Sequence, residues 1–210
     1  MFHSNTCGRS TRAQSGCGKN RDGCRWVGHF EDLTAIIADY RRNGANDSEA
    51  DRRWYGDPKL DFADAIVRAC RAEGEDGKVH SHQRRIGRRL LTEILPLLGG
   101  AEDLISKANS FDDVYDVVWT SIGNVGGIGD LTVYDIAQRI GWYRGLAPDR
   151  IYLHAGTREG ARALCGADSG KFLNRKRLPR LLRKLSAAEI EEVFCIYKKD
   201  FARINAEFSS

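Results

Sequence analysis

The chain has no long hydrophobic run and no extreme of net charge. Its 210 residues are 41% hydrophobic and 30% charged, and the net charge is +4. No apolar run approaches the ~18 residues that a membrane-spanning helix needs. The N-terminus has no apolar stretch of the kind that secretion signals carry. We therefore expect a cytoplasmic globular protein with an ordinary core.

The sequence also lacks the alternating pattern of β-strands and any long internal repeat. Apolar residues recur instead at helical spacing, in seven or eight segments such as 30–40 and 111–122. Ser110 precedes the second of these as an N-cap, and Ser186 with Glu189 forms a capping box before the last helix. These patterns predict one compact, all-α, multi-helix domain.

Turn and capping signals predict several boundaries. Residues 44–58 are polar and predict a loop, and Pro58 lies at the predicted start of the next helix. A third helix is expected from Ser81, with Pro96 distorting its end. Residues 150–154 are interpreted as an extended or single-turn link, with a short strand as the alternative, and Thr157 is expected to cap a further helix after them.

Aliphatic residues are almost absent from residues 1–28, which carry five basic residues and one acid. Such a segment buries too little to fold alone, so we expect a disordered basic extension before a helical domain at residues 29–208. Three cysteines lie in this extension, at Cys7, Cys17 and Cys24, without the close pairs of a zinc site. We expect reduced thiols, no metal and no cofactor.

The most informative segment is 122–137, in which Gly127 and Gly129 bracket the aliphatic Ile128. A tight connection between two helices needs glycines where φ is positive or backbones approach, and an apolar residue that anchors the turn. The amides that follow lie at a helix N-terminus, where they can hold an anion such as a nucleic-acid phosphate. An ordinary turn between core helices is the alternative.

This pattern resembles the helix-hairpin-helix motif of DNA-binding proteins. Ile122 and Val125 precede the Gly-Ile-Gly turn, and Thr132 follows two free positions after it. The wider helical arrangement is similar to that of the base-excision DNA glycosylases. The resemblance implies a glycosylase-like fold, DNA as partner and a monovalent cation at the hairpin. The hairpin residues that it implies in phosphate binding are Gly127, Gly129, Leu131 and Thr132.

The resemblance also assigns residues outside the hairpin. It implies a catalytic carboxylate at Asp149, which lies 18 residues after Leu131. It implies a DNA-facing segment at Gln83 and Arg84. Arg85 belongs to the basic cluster His80–Arg89, whose charge also favours an acidic partner. Bifunctional members carry a lysine nucleophile at the position that Leu131 occupies, so we expect hydrolysis of the N-glycosidic bond of a modified base without lyase chemistry.

Asp149 and His154 are the catalytic candidates. A carboxylate can stabilise the cationic sugar or activate water, and a histidine can act as general acid or base. Thr157 and Arg158 lie at the start of the next helix, where a phosphate can bind. The simpler alternatives are that Asp149, after Pro148, caps a turn and that His154 is a hydrogen-bonded residue at a capped helix.

Basic residues occur without an acid between Ser169 and Ala188. They are Lys171, Arg175, Lys176, Arg177, Arg180, Arg183 and Lys184. Unopposed charges of one sign favour an acidic partner such as DNA, although a solvated helix face is the alternative. Two other functions stay open: a non-catalytic module that binds nucleic acid or protein, and a nucleotide-processing enzyme.

Overall fold

The computed structural model describes residues 30–80, 83–166 and 170–207. These residues are mostly helical and include one two-stranded sheet. The helices are α1 (Phe30–Asp39), α2 (Ala45–Tyr55), α3 (Phe62–Arg71), α4 (Gly87–Glu93), α5 (Leu95–Gly99), α6 (Glu102–Ser106), α7 (Phe111–Ile122), α8 (Asp130–Arg144), α9 (Ala155–Cys165), α10 (Ala187–Ile196) and α11 (Lys198–Glu207). The strands are β1 (Ile151–Tyr152) and β2 (Phe172–Leu173).

The prediction that the chain is mostly helical is confirmed for the described residues. The predicted basic extension at residues 1–28 lies outside the described residues, as do the three N-terminal cysteines, the Ser81-His82 helix start and the last residues of the predicted domain. Within the described ranges, no helix combines the length and apolar character needed to cross a membrane. Cys70 and Cys195 are free thiols, whereas Cys165 is disulfide-bonded, so the expectation of reduced thiols is wrong for Cys165.

The predicted loop at residues 44–58 is wrong for residues 45–55, which form α2. A π-helical turn, Tyr40–Gly44, joins α1 to α2 without a break. Gly44 keeps a right-handed helical conformation, with φ −89° and ψ −37°, so it does not end the helix, and it lies against the Tyr40 ring. The polar sequence of α2 provides a solvent-facing side, while Tyr55 is buried.

Other boundaries move by a few residues. Asp61, and not Pro58, precedes α3, and its carboxylate accepts the Asp64 N–H at 2.7 Å. Residues 151–152 form a strand, because they pair in antiparallel register with Phe172–Leu173. Helix α8 extends through Arg144. The third predicted helix is divided into α4 and α5, with Pro96 in the first turn of α5.

Local capping signals are reproduced in the structure. The Ser110 hydroxyl accepts the Asp113 N–H, and the Asp113 carboxylate accepts the Ser110 N–H. The capping box at Ser186 and Glu189 has the same arrangement. The last predicted helix bends at Tyr197, however, and is divided into α10 and α11.

Two hydrophobic clusters form the core. The first lies among α3 to α8, and the second among α1, α9, α10 and α11. The β1–β2 ribbon belongs to both, because alternate strand residues point to opposite faces. Tyr152 and Phe172 pack in the first cluster, whereas Ile151 and Leu173 pack in the second. A cavity lies between elements of the two clusters.

Candidate functional site

The segment between α7 and α8 is the tight connection that the glycines predict. Gly127 has a φ of +89°, and Ile128 is buried, with its N–H donating to the Val125 carbonyl at 3.0 Å. Gly129 is extended, with φ −112°, and is the N-cap of α8. Among the described residues, no side chain caps this helix end. Its first amides are therefore available to a ligand, and phosphate binding there stays a prediction.

One face of α8 lines a cavity of about 350 Å³. Leu131, Asp135, Gln138 and Trp142 recur at helical spacing on this face. The remaining wall comes from α2, from the loop before α4 and from α9 and α10. Its polar residues are Ser48, Asp51, His80, His154, Glu191 and Glu192.

Asp135 lies at the wall of this cavity. The Gln83 side-chain amide donates to Asp135 Oδ2 at 2.8 Å. Burial raises the pKa of Asp135 above its usual value, because the surrounding protein stabilises the ionised form poorly. Arg139, one turn further along α8, donates to the Ala69 carbonyl at 3.3 Å and lies over the Tyr55 ring. The positive charge of Arg139 acts on Asp135 from a distance and lowers its pKa, which opposes the effect of burial.

His154 and Glu191 form a buried pair that lines the same cavity. His154 Nε2 lies 2.6 Å from Glu191 Oε1, and the Thr157 hydroxyl donates to the same oxygen at 2.6 Å. His154 is the N-cap residue of α9, and Glu191 is on α10. Thr157 is therefore not the predicted N-cap: it lies inside the first turn of α9 and holds Glu191 in place.

Two further carboxylates complete the wall. The Tyr40 hydroxyl, from the π-helical turn, donates to Glu192 at 2.6 Å. Burial raises the pKa of Glu192, although hydrogen bonds from Tyr40 and Ser48 oppose the shift. Asp51 lies 3.6 Å from His80 Nε2. The cavity is thus predominantly acidic.

The two predicted catalytic residues are not brought together. His154 lines the cavity, but Asp149 is exposed in the bend before β1 and is absent from the cavity wall. Leu131 lies on the wall, and Thr132 is buried at the start of α8. Gln83 is only 1% exposed and packs behind Asp135, so its placement does not fit a DNA-facing side chain.

The basic candidates lie at the surface. Those that are exposed are Arg84, Arg85, Lys171, Arg175, Lys176, Arg177, Arg180, Arg183 and Lys184. Lys171 lies 4.6 Å from the centre of the Trp119 ring. Arg158 is half-buried and donates to the carbonyls of Leu153 and Gly170, so it secures the chain around β2.

Asp135, Arg139, Glu191 and Glu192 are the site residues that sequence reasoning missed. One signal was present for the first two. Helix α8 is apolar on most of its circumference, and a charged residue in such a helix has to face a cavity or a partner. The role of Glu191 and Glu192 depends on contacts distant in sequence.

Among the described residues, no group of three or more histidine, cysteine, aspartate or glutamate side chains is placed to hold a metal ion. Comparisons with family models, with curated proteins and with solved structures give no match to this chain. The described residues therefore define a mostly helical protein that carries an acid-lined cavity beside a helical hairpin.

Proposed function

We propose that this protein binds DNA through the hairpin and hydrolyses the N-glycosidic bond of a modified base that enters the cavity. The observation that carries the proposal is that one helix serves both sites. The N-terminus of α8 is the open end of the hairpin, and the next turns of α8 line the cavity through Leu131, Asp135 and Trp142. A nucleotide whose phosphate binds at the hairpin amides lies next to the cavity.

The hairpin alone supplies little affinity. Asp130 lies in the first turn of α8 and offsets part of the positive end of the helix. Most of the binding energy has to come from basic residues, whose phosphate contacts release counterions. The exposed lysines and arginines of the 171–184 segment are suited to this role. We therefore expect weak, sequence-independent binding that decreases steeply with salt.

The chemistry proposed for the cavity needs a base that leaves the helical stack. The departing base leaves positive charge on the sugar, which a carboxylate such as Asp135 stabilises. In this proposal His154, which pairs with Glu191 at 2.6 Å, moves a proton to the base or from the attacking water. In this proposal Asp135 takes the role first assigned to Asp149, because Asp135 is the one on the cavity wall.

DNA binding is tested by electrophoretic mobility across a salt series. The variant Lys176→Gln with Lys184→Gln removes two exposed charges from the basic segment. We expect weaker binding and a salt dependence reduced by roughly two released counterions. The matched control is Lys59→Gln with Lys199→Gln, two exposed lysines elsewhere in the chain. Equal effects of the two pairs, or no binding at low salt, refute the DNA-binding proposal.

The hydrolysis is tested on duplexes that each carry one modified base, followed by alkaline cleavage of the abasic product. We expect Asp135→Asn to slow excision by about 10² to 10⁴, and Asp149→Asn to leave it near wild type. The reverse result restores the catalytic role of Asp149. No excision across the panel refutes the proposed reaction.

A nucleotide-processing enzyme is the second candidate function. The cavity beside His154 favours an enzyme over a non-catalytic interaction module. This alternative expects His154, Gly156 and Arg158 at the base of a closed pocket. His154 lines the cavity wall, but the Arg158 guanidinium donates to two backbone carbonyls. Hydrolysis of free nucleosides or nucleotides without any DNA substrate distinguishes this candidate from the first.

A further inference from the structure

The acidic side chains of the cavity differ in the groups that face their carboxylates. Glu191 pairs with His154, Glu192 accepts a hydrogen bond from Tyr40, and Asp51 lies near His80. The one arginine on the wall, Arg139, directs its guanidinium to a backbone carbonyl and an aromatic ring. No cationic side chain is therefore hydrogen-bonded to Asp135 among the described residues.

Asp135 has one hydrogen-bond partner in the described part of the chain, the neutral amide of Gln83. That bond uses Oδ2 and leaves Oδ1 for a molecule in the cavity. The amide oxygen of Gln83 is itself buried without a hydrogen-bond partner in the described residues. Gln83 does not line the cavity, so the unused capacity for an N–H donor of a ligand belongs to Oδ1 of Asp135.

The edge of the same cavity is apolar. Leu131 and Trp142 lie on α8, and Ile196, at the end of α10, is 53% exposed. The volume of about 350 Å³ is within the range of about 300 to 1,000 Å³ that small-molecule sites occupy. An apolar edge above an acidic floor fits a flat ring that carries a cationic, donor-rich group.

We infer that the cavity accepts a flat organic cation whose N–H groups bind Asp135 and whose ring packs against Trp142 and Ile196. This inference rests on the proposed function and narrows it, because the base taken into the cavity is then one that is protonated or presents amino groups. A ligand that presents only acceptors to Asp135 is disfavoured by like charge and by the loss of hydration.

The test uses a pair of probes of nearly equal shape, benzamidine and benzamide, with the full chain and no DNA. Benzamidine carries a cationic group with four N–H donors, whereas benzamide is neutral and presents an acceptor in place of one donor group. We expect calorimetric titration to give at least tenfold tighter binding of benzamidine. Asp135→Asn should reduce that affinity by at least tenfold, which corresponds to about 1.4 kcal/mol. Asp130→Asn, an exposed position on the same helix, should leave it unchanged.

Three outcomes overturn the inference: equal binding of the two probes, undiminished binding by Asp135→Asn, or no binding of benzamidine up to about 10 mM. Asp135→Asn is first checked for cooperative unfolding, and Ile196→Ser, at an exposed position on the apolar edge, gives a second test if that variant does not fold. Weaker benzamidine binding by Ile196→Ser then supports the inference, and unchanged benzamidine binding overturns it. The DNA excision assay is independent of this titration. Excision without amidine binding refutes this inference alone, whereas amidine binding without excision refutes the proposed reaction.

Discussion

Gly160 is the position at which local helix propensity and tertiary packing predict opposite results. It lies inside α9, where replacing glycine by alanine ordinarily stabilises a helix by about 1 kcal/mol. A Cβ atom at Gly160, however, would lie 2.1 Å from the Phe194 carbonyl oxygen and 2.7 Å from its carbon. A carbon–oxygen contact needs about 3.3 Å, so α9 and α10 would have to separate by about 1 Å.

The opposing atoms are backbone, so no side-chain rotation relieves the overlap. Overpacking costs about 1 to 3 kcal/mol, and we take the upper end for a backbone clash. After the gain in helix propensity, Gly160→Ala should destabilise the protein by about 2 kcal/mol. For a chain of this length, the expected fall in Tm is roughly 4 to 8 °C.

Thermal unfolding followed by circular dichroism is the assay. Gly99→Ala is the matched control, because Gly99 is helical and a Cβ atom there meets nothing within 4 Å. Its Tm should stay the same or rise slightly. A Tm for Gly160→Ala that rises as in the control refutes the close approach of α9 and α10. Since these helices carry His154 and Glu191, it would also refute the geometry of that pair.

Two further predictions concern the hairpin and the cavity. Gly127→Ala should lower the free energy of unfolding by about 1 to 2 kcal/mol, because the φ of +89° at this position is unfavourable for alanine. Gly126 has open space around it and no positive φ, so Gly126→Ala should change the free energy of unfolding by no more than about 0.5 kcal/mol. Urea unfolding measures both variants, and equal losses refute the assigned turn. Asp135→Asn should stabilise the fold at neutral pH. The raised folded pKa of Asp135 means that its stabilising contribution is present below the ordinary value of 3.8 and is lost as pH rises through the folded pKa. The advantage of the asparagine variant should therefore increase with pH, by about 1.4 kcal/mol for each unit of the shift, and an advantage that is largest at low pH contradicts the burial of Asp135.

The expected stabilisation by Asp135→Asn fits a functional site. Among the described residues no cationic side chain is hydrogen-bonded to Asp135, and a carboxylate that loses hydration without full replacement lowers the stability of the folded state. Natural chains retain such groups where activity requires them. A variant that gains stability and loses excision would show both properties at one residue.

Local signals in the sequence determined the helices and several of their ends. The spacing of apolar residues predicted α1, α7, α8 and α10, because a helix that packs on a core needs one apolar face. Ser110 and Ser186 marked the N-termini of α7 and α10, because capping is an interaction within one turn of helix. The Gly-Ile-Gly turn was equally local, and Gly127 has the positive φ that such a connection requires.

Tertiary contacts decided the rest. Polar residues 45–55 are helical because the π-helical turn continues α1 and because Tyr55 packs in the core. The strand at residues 151–152 exists because it pairs with residues 172–173, which lie 20 and 22 positions later in the two pairs. Neither partner carries a signal strong enough to predict the ribbon by itself.

The cavity shows most clearly which features follow from local sequence signals and which follow from tertiary contacts. The sequence indicated His154 as a candidate, because its position before a helix is a local feature. It did not indicate that Gln83 binds Asp135 or that Glu191 meets His154, because these pairs are separated by 52 and 37 positions and form only when the helices pack. Asp149 was expected as the catalytic carboxylate because of its distance from the hairpin along the chain. Which residues are exposed depends on the whole fold, however, and in this fold Asp149 lies at the surface whereas Asp135 lies on the cavity wall.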